Sequence, residues 1–133
     1  MTAQKKAKGT VIIAADVNVW EHELTTAQTL ANEGYTVTFI RKSTKPRQHS
    51  ADIYIDGVAR EMKSPISPKK KAIEKNLRQA TEQSSHIIFD ARRMKRLPDH
   101  AIEQEVRACA YKRIRKIERL IYVNKHGNVI NIK

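Results

Sequence analysis

A chain of 133 residues, 40% of them hydrophobic, is enough for one domain around a single core. Twenty-six Lys and Arg stand against fourteen Asp and Glu, giving a net charge of +12, so a polyanion whose phosphates shed counterions is the expected partner. No apolar run reaches the roughly 18 residues of a membrane span, the N-terminus has no signal-peptide core, and the lone Cys109 excludes an internal disulfide or a cysteine-built zinc site.

Residues 1–9 read as a flexible basic arm, followed by one domain over 10–133. Thr10–Ala14 is a short apolar run and predicts a first strand. From about Val19 to Glu33, Leu24, Ala27, Leu30 and Ala31 recur at helical spacing, and Gly34 stops the helix. The apolar face centres near Ala27 and Leu24. Glu23 falls on its shoulder, whereas Glu21 points away. A glutamate in a first turn is also favoured simply by the helix dipole. Tyr35–Ile40 alternates as a strand, and the basic stretch Arg41–Ser50, with Pro46, reads as a loop.

Asp52–Lys63 follows as a hairpin. Asp56-Gly57 between two β-prone runs suits a type I′ turn, which needs positive φ at both positions. Counting outward sets Ile55 against Val58, Tyr54 against Ala59, Ile53 against Arg60 and Asp52 against Glu61. Period-two alternation then puts Ile53, Ile55, Val58 and Met62 towards the core, and Asp52, Glu61 and Lys63 together on the other side. Opposed carboxylates repel unless a proton or a cation lies between them. A divalent cation is one occupant, with Lys63 beside it. The plain alternative is a surface hairpin with a Glu61–Lys63 pair and an unrelated aspartate.

Ser64–Pro68 breaks the strand. Ser67 is placed to cap a helix starting at Pro68 and running to about Gln83. Its apolar residues Ile73, Leu77 and Ala80 lie opposite Lys71, Lys75 and Arg78, a basic side that suits phosphate or plain solvation. Gln83, at the helix end, could hold a water or a phosphate, or simply cap the helix. His86–Asp90 is a strand, Ala91–Pro98 a basic loop, and Asp99 to about Lys116 a helix. Leu120–Asn124 and Val129–Ile132 close as a hairpin. Arginine forks bind two phosphate oxygens at once, so Arg92 and Arg93, just past a strand end, are the candidate substrate contacts. The histidines show no metal-ligand spacing, although His22 or His49 could act in a metal-free ribonuclease. Seven aromatic residues give little sign of a base-stacking platform.

Asp52, eight residues, then Glu61-x-Lys63 resembles the PD-(D/E)XK nuclease signature, with Ala51 in place of its proline. The setting is more specific: Glu23-x3-Ala27-x2-Leu30-x3-Gly34-Tyr35-x-Val37 upstream, and Glu61-Met62-Lys63-Ser64-Pro65, Gln79-Ala80-x2-Gln83-Ser84 and Ile87-Ile88-Phe89-Asp90-x-Arg92-Arg93 downstream. Over about residues 17–132 the chain resembles the nuclease-type C-terminal domains of contact-dependent growth-inhibition and related polymorphic toxins, several of which cut tRNA. The resemblance implies a restriction-endonuclease-like α/β fold, a mixed sheet flanked by helices with an antiparallel hairpin carrying the active site. It further implies a metal-dependent endonuclease in which Asp52, Glu61, the Met62 carbonyl and Glu23 (directly or through water) hold Mg²⁺ or Mn²⁺ and Lys63 acts on the attacking water. Lys71, Lys75, Gln83, Arg92 and Arg93 would contact nucleic acid, tRNA first. An acidic immunity protein is the expected protein partner, and a cytoplasm, the chain's own or a target cell's, is the expected compartment. A DNA endonuclease like the homodimeric Holliday-junction resolvases, and a non-catalytic basic nucleic-acid-binding module, are the alternatives.

Overall fold

The computed structural model describes residues 7–41 and 52–133, leaving out the side chain of Asp52. The elements run β1 (Val11–Ile13), α1 (Glu21–Asn32), β2 (Val37–Ile40), β3 (Asp52–Ile55), β4 (Val58–Lys63), α2 (Lys71–Thr81), β5 (His86–Asp90), α3 (Asp99–Ala108), β6 (Arg119–Val123) and β7 (Val129–Asn131), and a π-helical turn, Cys109–Arg113, prolongs α3. The fold is mixed α/β, with a seven-stranded mixed sheet whose strand order follows the chain from β1 to β7. Its residues group into two compact units that divide between Ala59 and Arg60, inside β4. No helix among the described residues is long and apolar enough to cross a membrane.

In the first unit β1 runs parallel to β2, and β2 antiparallel to β3, with Val37 opposite Ile55 and Ile40 opposite Asp52. Val37, Phe39, Ile53 and Ile55 are buried there, as are Ala27, Leu30 and Ala31 of α1. Thr26 is buried too, and its hydroxyl is satisfied by donating to the His22 carbonyl at 3.1 Å. The buried line of α1 thus runs through Ala27 and Leu30, with Thr26 and Ala31 on its flanks. Leu24, expected at the centre of that face, stands at its margin and is 39% exposed. Gly34 ends the helix at φ 101°, a conformation that costs a residue without Cβ little. Gly9, at the end of the expected arm, donates to the Ala31 carbonyl at 2.7 Å, and a Cβ on it would collide with the carbonyl of Tyr35.

The hairpin turn has the chemistry its sequence demands. Asp56 and Gly57 adopt φ of 49° and 84°, the type I′ signs. Asp56 also accepts a hydrogen bond from the Thr36 backbone at 2.8 Å, tying the turn to the start of β2. Val58, expected in the core, directly follows the turn and is 42% exposed, whereas Ile55 just before the turn is buried.

In the second unit β5 lies between parallel partners β4 and β6, with β7 antiparallel on β6. Its run Ile87-Ile88-Phe89 is fully buried, as befits a parallel strand covered on both faces. Ile73, Leu77 and Ala80 of α2 and Ile102 and Val106 of α3 complete that core, and the opposition of this face to the lysines is as expected. The start of α2 differs. Ser67 accepts the Lys69 N–H at 3.1 Å and so closes a local turn; the helix opens three residues later than expected, at Lys71, with Lys70 as an N-cap that supplies no side-chain bond. The last helix also departs from a plain α-helix to Lys116. The Ile114 N–H bonds the Cys109 carbonyl, five residues back, at 2.8 Å, a π-turn of the kind that often marks a special site.

Candidate active site

β4 carries two of the expected catalytic residues. Glu61 and Lys63 are two apart on one strand and share a face. Lys63 Nζ stands 3.8 Å from Glu61 Oε2, and their side chains are only 24% and 27% exposed respectively. At that distance this is an ion pair beyond hydrogen-bond length. Their strand neighbours on β5 are Ile87 and Phe89, both buried, so the charged pair lies beside a rigid apolar strand. Arg93 reaches the same strand end: its Nη1 donates to the carbonyl of Ser64, the residue after Lys63, at 3.0 Å.

The other expected acids belong to the first unit. Asp52 opens β3 with its backbone paired to Ile40; its side chain lies outside the described residues, as do Ala51 and His49. Glu23 is half-buried in the first turn of α1, one turn before Ala27 and two before Leu30, both fully buried. Its Oε1 accepts the Trp20 backbone N–H at 3.0 Å, satisfying a donor that the helix start leaves open. This is the helix-start role that a first-turn glutamate has without any catalysis. His22, the rival general base, lies in the same turn, stacked beside Trp20.

The expected phosphate contacts separate into engaged and available groups. Arg92 grips Asp90, which is 2% exposed, through Nε at 3.1 and 3.2 Å, Nη2 at 2.7 Å and its backbone N–H at 3.0 Å. Its fork is committed to the fold. Lys71 and Lys75 are exposed and line both a groove of about 720 Å³ and a second of about 630 Å³ on either side of the α2 ridge. Gln79 lines both as well, whereas Gln83 lies past the end of α2 and bonds the Ala80 carbonyl with its backbone N–H at 2.9 Å.

One constellation has no counterpart in the sequence reading. Glu105, 7% exposed, Glu74 and the buried Cys109 bring potential ligand atoms within 4.8 Å of one another. Arg113 already fills the cation's place, with Nη1 on Glu105, 3.1 Å from Glu74 Oε1 and 3.7 Å from Cys109 Sγ. The spacing Glu105-x3-Cys109-x3-Arg113 was visible along the helix, but Glu74 comes from α2 and could not be placed beside it. Hydrogen bonds from Arg78 and Arg113 hold the Glu74 carboxyl below its ordinary range. Burial, with Glu105 alongside, pushes the Cys109 thiol up to about 11. The thiolate is the reactive form, so at pH 8 Cys109 in the native protein should resist an aromatic disulfide reagent and react within seconds once guanidinium unfolds the chain. Rapid native labelling would show that this network opens.

Residues 49–129 match the profile of the contact-dependent growth inhibition CdiA C-terminal domain. No curated protein sequence matches. Among solved structures, a chain of the CdiA-CT/CdiI toxin and immunity complex from Burkholderia pseudomallei superposes with a TM-score of 0.65 at 24% identity, covering 94% of this chain and 99% of that one. At that identity the likeness is one of fold.

Proposed function

From the premise that the chain belongs to the family of contact-dependent growth inhibition CdiA C-terminal domains, we propose that it is a toxin domain acting as a metal-dependent endonuclease of the PD-(D/E)XK type on RNA, with tRNA the first substrate. The observation that carries this reading is the Glu61–Lys63 pair on β4, 3.8 Å apart and partly open to solvent, with Arg93 anchored at the carbonyl of Ser64. An acid and a lysine so close suit phosphodiester hydrolysis: the carboxylate holds positive charge, and the ammonium meets the charge that develops on the phosphate.

Glu61, Asp52, the Met62 carbonyl and Glu23 would hold the metal. This is an all-oxygen set of the kind that hard dications prefer, and the partly exposed Glu61 carboxylate fits it. Bound there, Mg²⁺ or Mn²⁺ would neutralise phosphate charge and lower the pKa of water. Lys63, as the ammonium, would orient the attacking water and stabilise the negative charge that develops on the phosphate. Lys71, Lys75 and Arg93 hold the phosphate backbone. The net charge of +12 suits an acidic immunity protein, and the similar fold in a toxin and immunity complex supports such a partner. The working compartment is then the cytoplasm of the target cell.

The test is an endonuclease assay of the purified protein on total tRNA and on duplex DNA, with Mg²⁺ and with EDTA. Loss of at least about 100-fold in tRNA cleavage on metal removal is the expected result. Cleavage that persists in EDTA would transfer the chemistry to His22 or His49. Cutting of branched or duplex DNA alone, by a dimer, would make it a resolvase-like enzyme. Salt-sensitive binding without any cutting would leave a nucleic-acid-binding module.

A further inference from the structure

Trp20 is the chain's single tryptophan, and it is 53% exposed. It occupies the N-cap of α1 with extended backbone, φ −65° and ψ 148°. That position favours Ser, Thr, Asp or Asn, whose oxygens accept from the first turn. An indole has only a donor. A tryptophan here forgoes the burial that would ordinarily justify it. The backbone is nonetheless pinned, because the Trp20 N–H donates to Glu23 Oε1 at 3.0 Å and its carbonyl accepts from Leu24 at 3.0 Å. The His22 ring lies nearly parallel to the indole, with centroids 6.4 Å apart and planes 14° apart. Leu24, one turn on, is itself 39% exposed. The helix start therefore presents an oriented aromatic pair beside a partly exposed aliphatic side chain.

We propose that Trp20, backed by His22, is a stacking platform for an unpaired nucleobase, so that this chain selects nucleic acid with a single-stranded segment; the proposal rests on the nuclease reading above. Every base offers a π-face, and stacking on an exposed aromatic is tolerant of sequence. In a duplex those faces are taken by neighbouring bases, which is why protein aromatics read loops, bulges and ends. A chain of net charge +12 attracts the backbone without regard to strandedness, so the aromatic pair supplies the discrimination that charge lacks. Glu23, whose carboxylate bonds the Trp20 backbone, ties the platform to the acid assigned to the metal.

The single tryptophan makes the test direct. The full-length Lys63→Ala variant in EDTA would be titrated with a single-stranded oligoribonucleotide and with a blunt RNA duplex of equal length. Labelled-oligonucleotide anisotropy would report binding and Trp20 fluorescence would report stacking. Saturable quenching by the single strand and little by the duplex is expected. Trp20→Ala should weaken single-strand binding roughly tenfold, the effect of losing one base–aromatic stack, and duplex binding by less than about twofold, with Trp20→Phe retaining most of the affinity. Binding of both ligands with unchanged Trp20 emission, or equal losses on both in folded Trp20→Ala, would overturn the platform and leave the nuclease reading intact. Failure to bind either ligand would overturn both.

Discussion

Lys63→Ala is expected to cut tRNA cleavage by about 10³-fold or more while the melting temperature moves by less than about 3 °C. The two halves of that expectation have separate grounds. The side chain of Lys63 is partly exposed and its contact with Glu61 is 3.8 Å, a pair worth at most about 1 kcal/mol to the fold. In the proposed reaction the same ammonium would face the charge that grows on the phosphate, where one pre-positioned donor is worth about 3–4 kcal/mol. Glu61→Gln and Asp52→Asn should be as damaging, through loss of charge at the proposed metal ligands. Circular dichroism melts beside the tRNA assay separate the outcomes. Full activity in folded Lys63→Ala would remove it from the chemistry, and activity lost together with the fold would make it a structural lysine.

Much of this arrangement was legible because it is local. Asp56-Gly57 fixes its turn through backbone conformation alone, so the inner ends of both hairpin strands, Ile55 and Val58, follow from two residues. The face of α2 was readable for the same reason, since Ile73, Leu77 and Ala80 repeat at helical spacing against the lysines. What failed was decided by residues distant in sequence, or by competing local bonds. Ser67 had two uses open to it, and the turn to Lys69 won over the helix cap. Leu24 has the right spacing, yet the buried line of α1 passes through Ala27 and Leu30 and leaves it at the margin. Arg113 has no meaning until Glu74, 39 residues away, stands beside it. For the candidate site, the sequence put Glu61 and Lys63 on one face of a strand, whereas the contact of Arg93 with the Ser64 carbonyl spans 29 residues and had to be seen. Trp20 was counted among too few aromatics to matter, because composition carries no exposure.

Arg92 is the expected phosphate contact that the fold engages most tightly, and it gives the largest expected effect on stability. As a basic side chain in a basic loop it looks like a phosphate ligand. In the structure its fork closes on Asp90, at the end of a strand buried on both faces. A carboxylate 2% exposed is poorly rehydrated when the Arg92 fork goes, and breaking such a pair costs about 3 kcal/mol or more. Arg92→Ala should therefore lower the melting temperature by roughly 10 °C, whereas Arg93→Ala, losing one bond to a backbone carbonyl, should cost about 1 kcal/mol. The cause can be isolated by a cycle. Replacing both members, Asp90→Asn with Arg92→Ala, removes the uncompensated charge and should recover much of the loss, which a simple packing defect would not allow. Arg92→Lys keeps the charge without the fork and should fall between the two. If Arg92→Ala instead melts like the parent and loses only RNA affinity, the ion pair is incidental and Arg92 is a substrate ligand after all. The expected pattern assigns phosphate binding to Arg93 and the lysines of α2, and leaves Arg92 to hold the loop on which Arg93 sits.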